Sequence, residues 1–113
     1  MLEITTKPLR RCDLITVKGR VDSASVEELK NALENSIIGG GQHNIVLNLS
    51  GLTFMSSAGL RQLLDAQKKC KSLKRGDLVL SEIPKNIRDV LDLAGLAAMF
   101  KIYASDVEAV GDF

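Results

Sequence analysis

The sequence is poor in residues that build catalytic and metal centres, with one histidine, two cysteines, one tyrosine and no tryptophan among 113 residues. His43 directly precedes a predicted central strand. It is therefore expected in a loop at the opposite edge of the sheet from any serine that follows that strand, too far for a Ser–His pair. Cys12 and Cys70 lie far apart without metal-ligand spacing, which favours free, buried thiols. The chain is predicted to be no enzyme and to need no cofactor or metal.

Neither sign of charge is in excess. Lys and Arg number 15 and Asp and Glu 14, which gives a formal net charge of +1. This balance does not favour direct nucleic-acid binding, because that affinity depends on cations that neutralise phosphates. Five basic residues near the end of a predicted helix are typical of a helix C-terminus: Lys68, Lys69, Lys71, Lys74 and Arg75.

Long apolar runs are also missing. No stretch of about 18 apolar residues predicts a membrane span. Residues 1–6 lack the basic and apolar regions of a signal peptide. We therefore expect a cytoplasmic protein without membrane insertion.

A phosphate-binding loop of the form Gly-x-x-x-x-Gly-Lys-Ser/Thr is absent. The clustered glycines at 39–41 follow a predicted helix and precede a strand, which is the wrong context for cradling a phosphate. The sequence therefore does not favour nucleotide binding or hydrolysis.

The sequence does contain short apolar runs that alternate with helical stripes. Residues 45–47 and 78–80 predict strands buried on both faces, and residues 2–7, 12–18 and 100–103 predict further strands. A stripe spaced +3, +4 and +4 predicts a helix over about 24–38: Val26, Leu29, Leu33 and Ile37. Its start has candidate caps in Asp22, Ser23 and the Ser25–Glu28 capping-box pair.

Three more helices are predicted. They begin near Ser57 and Pro84, and Ser105 with Glu108 indicates a short, capped terminal helix. The buried positions of the first two are expected to be Leu60, Leu63, Leu64, Leu73, Ile87, Val90, Leu91 and Ala94. The resulting order ββαβαβαβα predicts a layered α/β domain with parallel crossovers, formed by residues 1–113 as one unit. In such sheets, functional sites lie beyond the carboxyl ends of the strands.

That rule points to the segment Leu52-Thr53-Phe54-Met55-Ser56-Ser57-Ala58-Gly59-Leu60. Phe54 and Met55 are expected to anchor the turn from beneath. Ser57 stands where a helix begins, with free backbone N–H groups and the positive end of the helix dipole, and both favour an anion such as a phosphate. Serine is also among the commonest helix caps, so a purely structural function for the pair stays open.

The same segment resembles the signature of STAS domains of the anti-sigma factor antagonist family. The resemblance extends along essentially the whole chain. It includes Gly19-Arg20-Val21-Asp22 before the first helix, the strand Ile45–Ser50, Ala94-Gly95-Leu96 and Phe100-Lys101-Ile102. It implies the STAS fold: a mixed, mostly parallel central sheet of four to five strands, with about four helices packed mainly on one face.

In that family the motif commonly reads Asp-Ser-Ser/Thr-Gly-Leu/Ile, and the serine after the aspartate is phosphorylated. The resemblance therefore implies that Ser57 is the phosphoacceptor, with Ser56, which occupies the position of the aspartate, as the alternative. The implied partner-binding residues are Asp22, Ser56, Ala58, Gly59 and Arg61; Arg61 could also lean back toward a phosphate.

The implied function is partner switching. The unphosphorylated chain would bind an anti-sigma factor that is also a serine kinase, the kinase would phosphorylate Ser57 with ATP, and a PP2C-type phosphatase would reverse the step. The alternative is a non-switching scaffold or transporter-associated STAS subunit in which Ser57 is only a helix cap.

Overall fold

Strands and helices alternate in the predicted order ββαβαβαβα within residues 2–39, 44–73 and 76–113, which the computed structural model describes. The strands are β1 Leu2–Pro8, β2 Asp13–Val21, β3 Asn44–Met55, β4 Asp77–Ser81 and β5 Ile102–Tyr103. The helices are α1 Val26–Glu34, α2 Ser57–Leu73, α3 Lys85–Leu93 and α4 Asp106–Gly111. A π-helical turn, Asn35–Gly39, continues α1, and a 3₁₀ turn, Ala97–Met99, precedes β5.

The strands form one sheet in the order β1-β2-β3-β4-β5. β1 pairs with β2 antiparallel, and the other three pairs are parallel. This confirms the mixed, mostly parallel sheet. Because β2 and β3 are parallel neighbours, their carboxyl ends meet at one edge, beside the start of α2.

Both faces of the sheet are covered in its centre. Residues 45–47 and 78–80 are at most 1% exposed, as predicted for central parallel strands. Alternate residues contact α1, α2 and α3 on one face, whereas Val46 and Val79 pack on Ala109 of α4 on the other. Three of the helices therefore cover one face. Cys12 and Cys70 are free, buried thiols, as predicted.

The buried Gln67 fastens the middle of α2 to the rest of the domain. Its side-chain amide donates to Asp77 Oδ1 at 2.8 Å, to the Leu78 carbonyl at 3.2 Å and to the Met99 carbonyl at 2.9 Å. Its side-chain oxygen accepts the Leu78 N–H at 2.8 Å. The side chain is 1% exposed, so these bonds satisfy a polar group that would otherwise be costly to bury.

A second polar cluster holds α4 against the sheet. The Asp106 carboxylate accepts hydrogen bonds from Asn48 Nδ2 and from the hydroxyl of Ser81. Asn48 is 5% exposed and Ser81 is fully buried. The carboxylate therefore satisfies polar groups on β3 and β4 that water does not reach.

β3 is far longer than the predicted strand at 45–47. Inside it, the Asn48 side-chain oxygen accepts the Ser50 N–H at 2.9 Å. β3 has one residue more than β2 at each of two register shifts, opposite residues 16–18 and 19–20 of β2.

Several local predictions were wrong or partly right. The Ser25 side chain makes no capping-box bond at the start of α1, because its hydroxyl oxygen instead accepts the Asp22 N–H at 3.0 Å while the hydroxyl donates to the Arg20 carbonyl. Pro84 is the N-cap of α3 and not its first residue, and Ala94 is exposed just beyond its end. Ser105 does cap α4, accepting the Glu108 N–H at 3.2 Å.

In the basic cluster, Lys69 forms an ion pair with Glu34 at 2.8 Å, and Lys71 lies 3.9 Å from Asp77. Five residues of the sequence predictions lie outside the described ranges: Gly40, Gly41, His43, Lys74 and Arg75. The same holds for the side chain of Leu73.

Candidate functional site

The candidate site forms where β2 and β3 end side by side. Val21, the last residue of β2, pairs with Met55, the last residue of β3. The next N–H along the chain, that of Ser56, donates to the Val21 carbonyl at 2.8 Å. The turn that begins at Asp22 and the helix that begins at Ser57 therefore leave the sheet together.

The two serines have different positions. Ser56 precedes α2; its hydroxyl accepts the Gly59 N–H at 3.3 Å, and its carbonyl accepts the Leu60 N–H at 3.1 Å. Ser56 is therefore the N-cap. Ser57 is the first helical residue and is exposed. The alternative in which Ser57 is only a helix cap is wrong in this respect, because the adjacent serine does the capping.

Gly59 allows the start of α2 to pack directly on the sheet. A Cβ at this position would lie 2.7 Å from Val21 Cγ1 and 2.9 Å from Met55 Cγ. Both distances are well below the 3.5–4.0 Å of a comfortable carbon–carbon contact. Gly59 is buried, so the structure gives it a packing function. Its predicted partner contact stays a prediction.

Asp22 organises the turn beside the serines. One of its carboxylate oxygens accepts the Ala24 N–H at 3.0 Å and the Ser25 N–H at 3.1 Å, and it also contacts the Ser25 hydroxyl at 3.2 Å. Desolvation raises the pKa of this carboxyl, but the hydrogen bonds from Ser25 and Ala24 outweigh it, helped by the nearby Arg20 charge. The pKa is therefore held below its ordinary value. Asp22 is a charged group at neutral pH and half-buried.

Arg20 also lies at the ends of β2 and β3, although the sequence did not mark it as a functional residue. Its guanidinium carbon lies 4.5 Å from the centre of the Phe54 ring, a cation–π contact between the paired strands β2 and β3. Phe54 is 39% exposed, so the prediction that it anchors the turn from beneath is wrong. Met55, at 4%, does so. Two apolar residues in sequence must point to opposite faces of a strand, and the unexpected length of β3 puts Phe54 outside.

Ala58 and Arg61 complete the predicted set. Ala58 is half-buried in the first turn of α2, and Arg61 is exposed one turn beyond Ser57. In the described residues no carboxylate forms an ion pair with Arg61. Its guanidinium is thus available on the same helical face as Ser57, since residues four apart on a helix are neighbours.

The arrangement suits an anion on Ser57. The first N–H groups of a helix have no acceptor inside it. Here the Ser56 hydroxyl accepts the Gly59 N–H. The N–H groups of Ser57 and Ala58 are therefore left to bind an added phosphate. The helix dipole acts in the same sense. No described side chain accepts a hydrogen bond from the Ser57 hydroxyl, and so none is placed to activate it as a nucleophile.

In the described parts of the chain, the His, Cys, Asp and Glu residues form no group that could hold a metal ion. None of the helices in these ranges is both long and apolar enough to span a membrane.

The chain resembles known proteins along nearly its whole length. The model of the STAS domain family matches residues 3–109. BtrV of Bordetella bronchiseptica, a protein assigned the role of anti-sigma factor antagonist, is 33% identical over 97 residues, 86% of this chain and 82% of BtrV.

Two solved structures share the fold. The phosphorylated form of the Bacillus cell fate determinant SpoIIAA is 22% identical with a TM-score of 0.77, over 97% of this chain and 98% of that chain. The murine anion transporter Slc26a9 is 15% identical with a TM-score of 0.78, over 94% of this chain and 18% of that chain. The same fold thus occurs in a small stand-alone protein and as one part of a transporter.

Proposed function

The chain belongs to the STAS domain family, and from this premise we propose that it is an anti-sigma factor antagonist that works by partner switching. The unphosphorylated chain binds an anti-sigma factor that is also a serine kinase. Phosphorylation of Ser57 releases it, and a PP2C-type phosphatase restores the binding form. The chain itself is not an enzyme in this cycle, which takes place in the cytoplasm, where sigma factors act.

One observation carries the proposal: Ser57 has an exposed hydroxyl at the start of α2, while the half-buried Ser56 does the capping. A kinase can therefore reach the Ser57 hydroxyl without breaking a bond that holds the helix. The same comparison favours Ser57 over Ser56 as the acceptor, because Ser56 is half-buried and its hydroxyl already accepts the Gly59 N–H.

The position of Ser56 also accounts for the departure from the family motif. The family has aspartate here, and aspartate and serine are equally good N-caps. Replacing one with the other keeps the helix start and removes one negative charge. The neighbours of Ser57 in the chain, Ser56 and Ala58, are uncharged, and Arg61 lies one turn beyond on the same helical face.

Phosphorylation would switch this surface through charge. A phosphoserine adds about −1.5 to −2 charges at neutral pH. Packed against a partner without a compensating cation, such a charge costs several kcal/mol, enough to weaken binding about a hundredfold. The N–H groups at the helix start accommodate the phosphate in the free chain, so release needs no unfolding of α2.

The alternative is a scaffold or transporter-associated subunit that docks through the same surface without being phosphorylated. The fold shared with part of Slc26a9 is the observation in its favour. This alternative predicts that the wild-type chain, Ser57→Ala and Ser57→Asp bind their partner equally well.

The test measures binding and modification separately, using each anti-sigma serine kinase of the source genome as a purified probe. Ser57→Ala should bind its kinase with or without ATP, and Ser57→Asp should bind about a hundredfold more weakly. The wild-type chain should gain one phosphate by intact mass, and a PP2C-type phosphatase should remove it.

Ser56→Ala is the matched control. It should still gain the phosphate, whereas Ser57→Ala should not. If Ser57→Ala still gained the phosphate and Ser56→Ala did not, Ser56 would be the modified residue and the proposal for Ser57 would be wrong. Equal binding of Ser57→Ala and Ser57→Asp would contradict the switch and favour the scaffold.

A further inference from the structure

A cleft lies at the other end of β2 from Ser57, between the inner face of β1, helix α1 and the π-helical turn. Its volume is about 610 Å³, within the range of roughly 300–1,000 Å³ that is typical of small-molecule sites. The residues that line it are Leu2, Ile4, Thr6, Asp13, Glu28, Ala32, Asn35 and Ser36.

Asp13 forms a buried part of this lining. It begins β2, on the same face of the strand as the fully buried Ile15 and Val17, and it is only 7% exposed. Among the described residues its carboxylate has neither a hydrogen bond nor an ion pair. Every side-chain oxygen or nitrogen that is fully buried in these residues has a partner, so the Asp13 oxygens are not fully buried. The carboxylate oxygens therefore open into the cleft.

A buried carboxylate that has no partner among the described residues is unfavourable unless something else compensates for it. The pKa of the neighbouring Cys12 thiol is raised, mainly by burial and secondly by the negative charge of Asp13. Glu28 adds a second carboxylate at the exposed side of the cleft. No Lys or Arg belongs to the described lining.

The remaining surface is apolar or weakly polar. Leu2, Ile4 and Ala32 provide aliphatic side chains, and Ser36, 4% exposed, adds a hydroxyl. The cleft thus combines negative charge with an aliphatic wall, a pairing that suits a ligand with a cationic head and a short apolar body.

We propose that this cleft binds a small organic cation, a primary ammonium on a short aliphatic chain. The ammonium donates to the carboxylates of Asp13 and Glu28, and the aliphatic chain packs on Leu2, Ile4 and Ala32. This site is separate from the phosphoacceptor surface and does not depend on the function proposed for Ser57.

The test is a titration of the full chain with n-pentylammonium chloride, followed by amide NMR. Saturable shifts are expected at Leu2, Ile4, Ala32 and Asn35. Asp13→Asn should weaken binding at least tenfold, because it removes the charge and keeps the shape. Sodium pentanoate, with the same chain length and the opposite charge, should cause no saturable shift.

Glu28→Gln and Glu27→Gln form a matched pair in the first turn of α1, because only Glu28 lines the cleft. The first variant should weaken binding several-fold and the second should not. This pair carries the test if Asp13→Asn does not fold. Equal affinity of Glu28→Gln and Glu27→Gln, unchanged binding in a folded Asp13→Asn, or equal binding of pentanoate would overturn the proposal.

Discussion

Adding one methyl group at residue 59 tests how the candidate site is built. In Gly59→Ala the new Cβ would lie 2.7 Å from Val21 Cγ1 and 2.9 Å from Met55 Cγ. Val21 is fully buried and β-branched, so it has no free rotamer into which to retreat. We therefore expect the start of α2 to shift away from the sheet.

The magnitude follows from two opposing effects. Overpacking a well-packed site costs about 1–3 kcal/mol, and two contacts below 3.0 Å favour the upper half of that range. Alanine offsets about 1 kcal/mol of this cost, because it is the better helix former. The free energy of unfolding should fall by about 1–2 kcal/mol, measured by urea denaturation with an unchanged m-value.

Gly111→Ala is the matched control. Residue 111 ends α4, and a Cβ there would meet nothing within 4 Å. The same substitution should therefore be neutral or stabilising, by up to about 1 kcal/mol. If Gly59→Ala proved as stable as Gly111→Ala, the close packing of α2 on β2 and β3 would be refuted.

Two further predictions concern polar groups. Asp106→Ala leaves the buried Asn48 amide and Ser81 hydroxyl without an acceptor, so the free energy of unfolding in urea should fall by about 2–3 kcal/mol. The control Asp89→Ala, which removes an exposed helical ion pair, should change it by less than about 0.5 kcal/mol; similar losses in both would contradict the buried cluster. The hydrogen bond to Asp112, with lesser effects of desolvation and charge, raises the pKa of Tyr103 to about 12. The folded state thus favours the neutral phenol. Its contribution to the free energy of unfolding is complete below about pH 10, the pKa of tyrosine in the unfolded chain. It is lost as the pH rises toward 12. Tyr103 is the sole tyrosine and tryptophan is absent, so tyrosinate absorbance reports it directly. Its midpoint should fall in Asp112→Ala, and an unshifted midpoint would count against the bond.

The sequence predicted the elements whose physics is local. The apolar runs at 45–47 and 78–80 required burial on both faces, and the stripe through Leu29 and Leu33 required a helix against the sheet. Both are confirmed. Ser105 caps α4 because its partner, Glu108, is only three residues away.

Other features depend on residues distant in sequence and could not be predicted in this way. Asn48 lies inside β3 because Asp106, 58 residues away, accepts its amide hydrogens. Phe54 is exposed because the bulges between β2 and β3 carry the strand past the predicted turn and place the ring on Arg20.

The candidate site was predicted in part. The helix start near Ser57 followed from the sequence, and the division of roles between Ser56 and Ser57 did not. Either serine could have capped the helix. The bond between the Ser56 N–H and the Val21 carbonyl fixes which residue is first in α2, and that bond needs the register of two strands.

The bonds of Gln67 set what can vary in this protein and what cannot. The face of α2 that contains Gln67 tolerates little change, because replacing Gln67 would leave the N–H and carbonyl of Leu78 and the carbonyl of Met99 without their partner. The outer face of α2, where Ser57, Arg61 and Lys68 are exposed, is not constrained by such bonds. Gene duplication could therefore give rise to copies that differ only along this outer face, each matched to its own partner and all equally well folded.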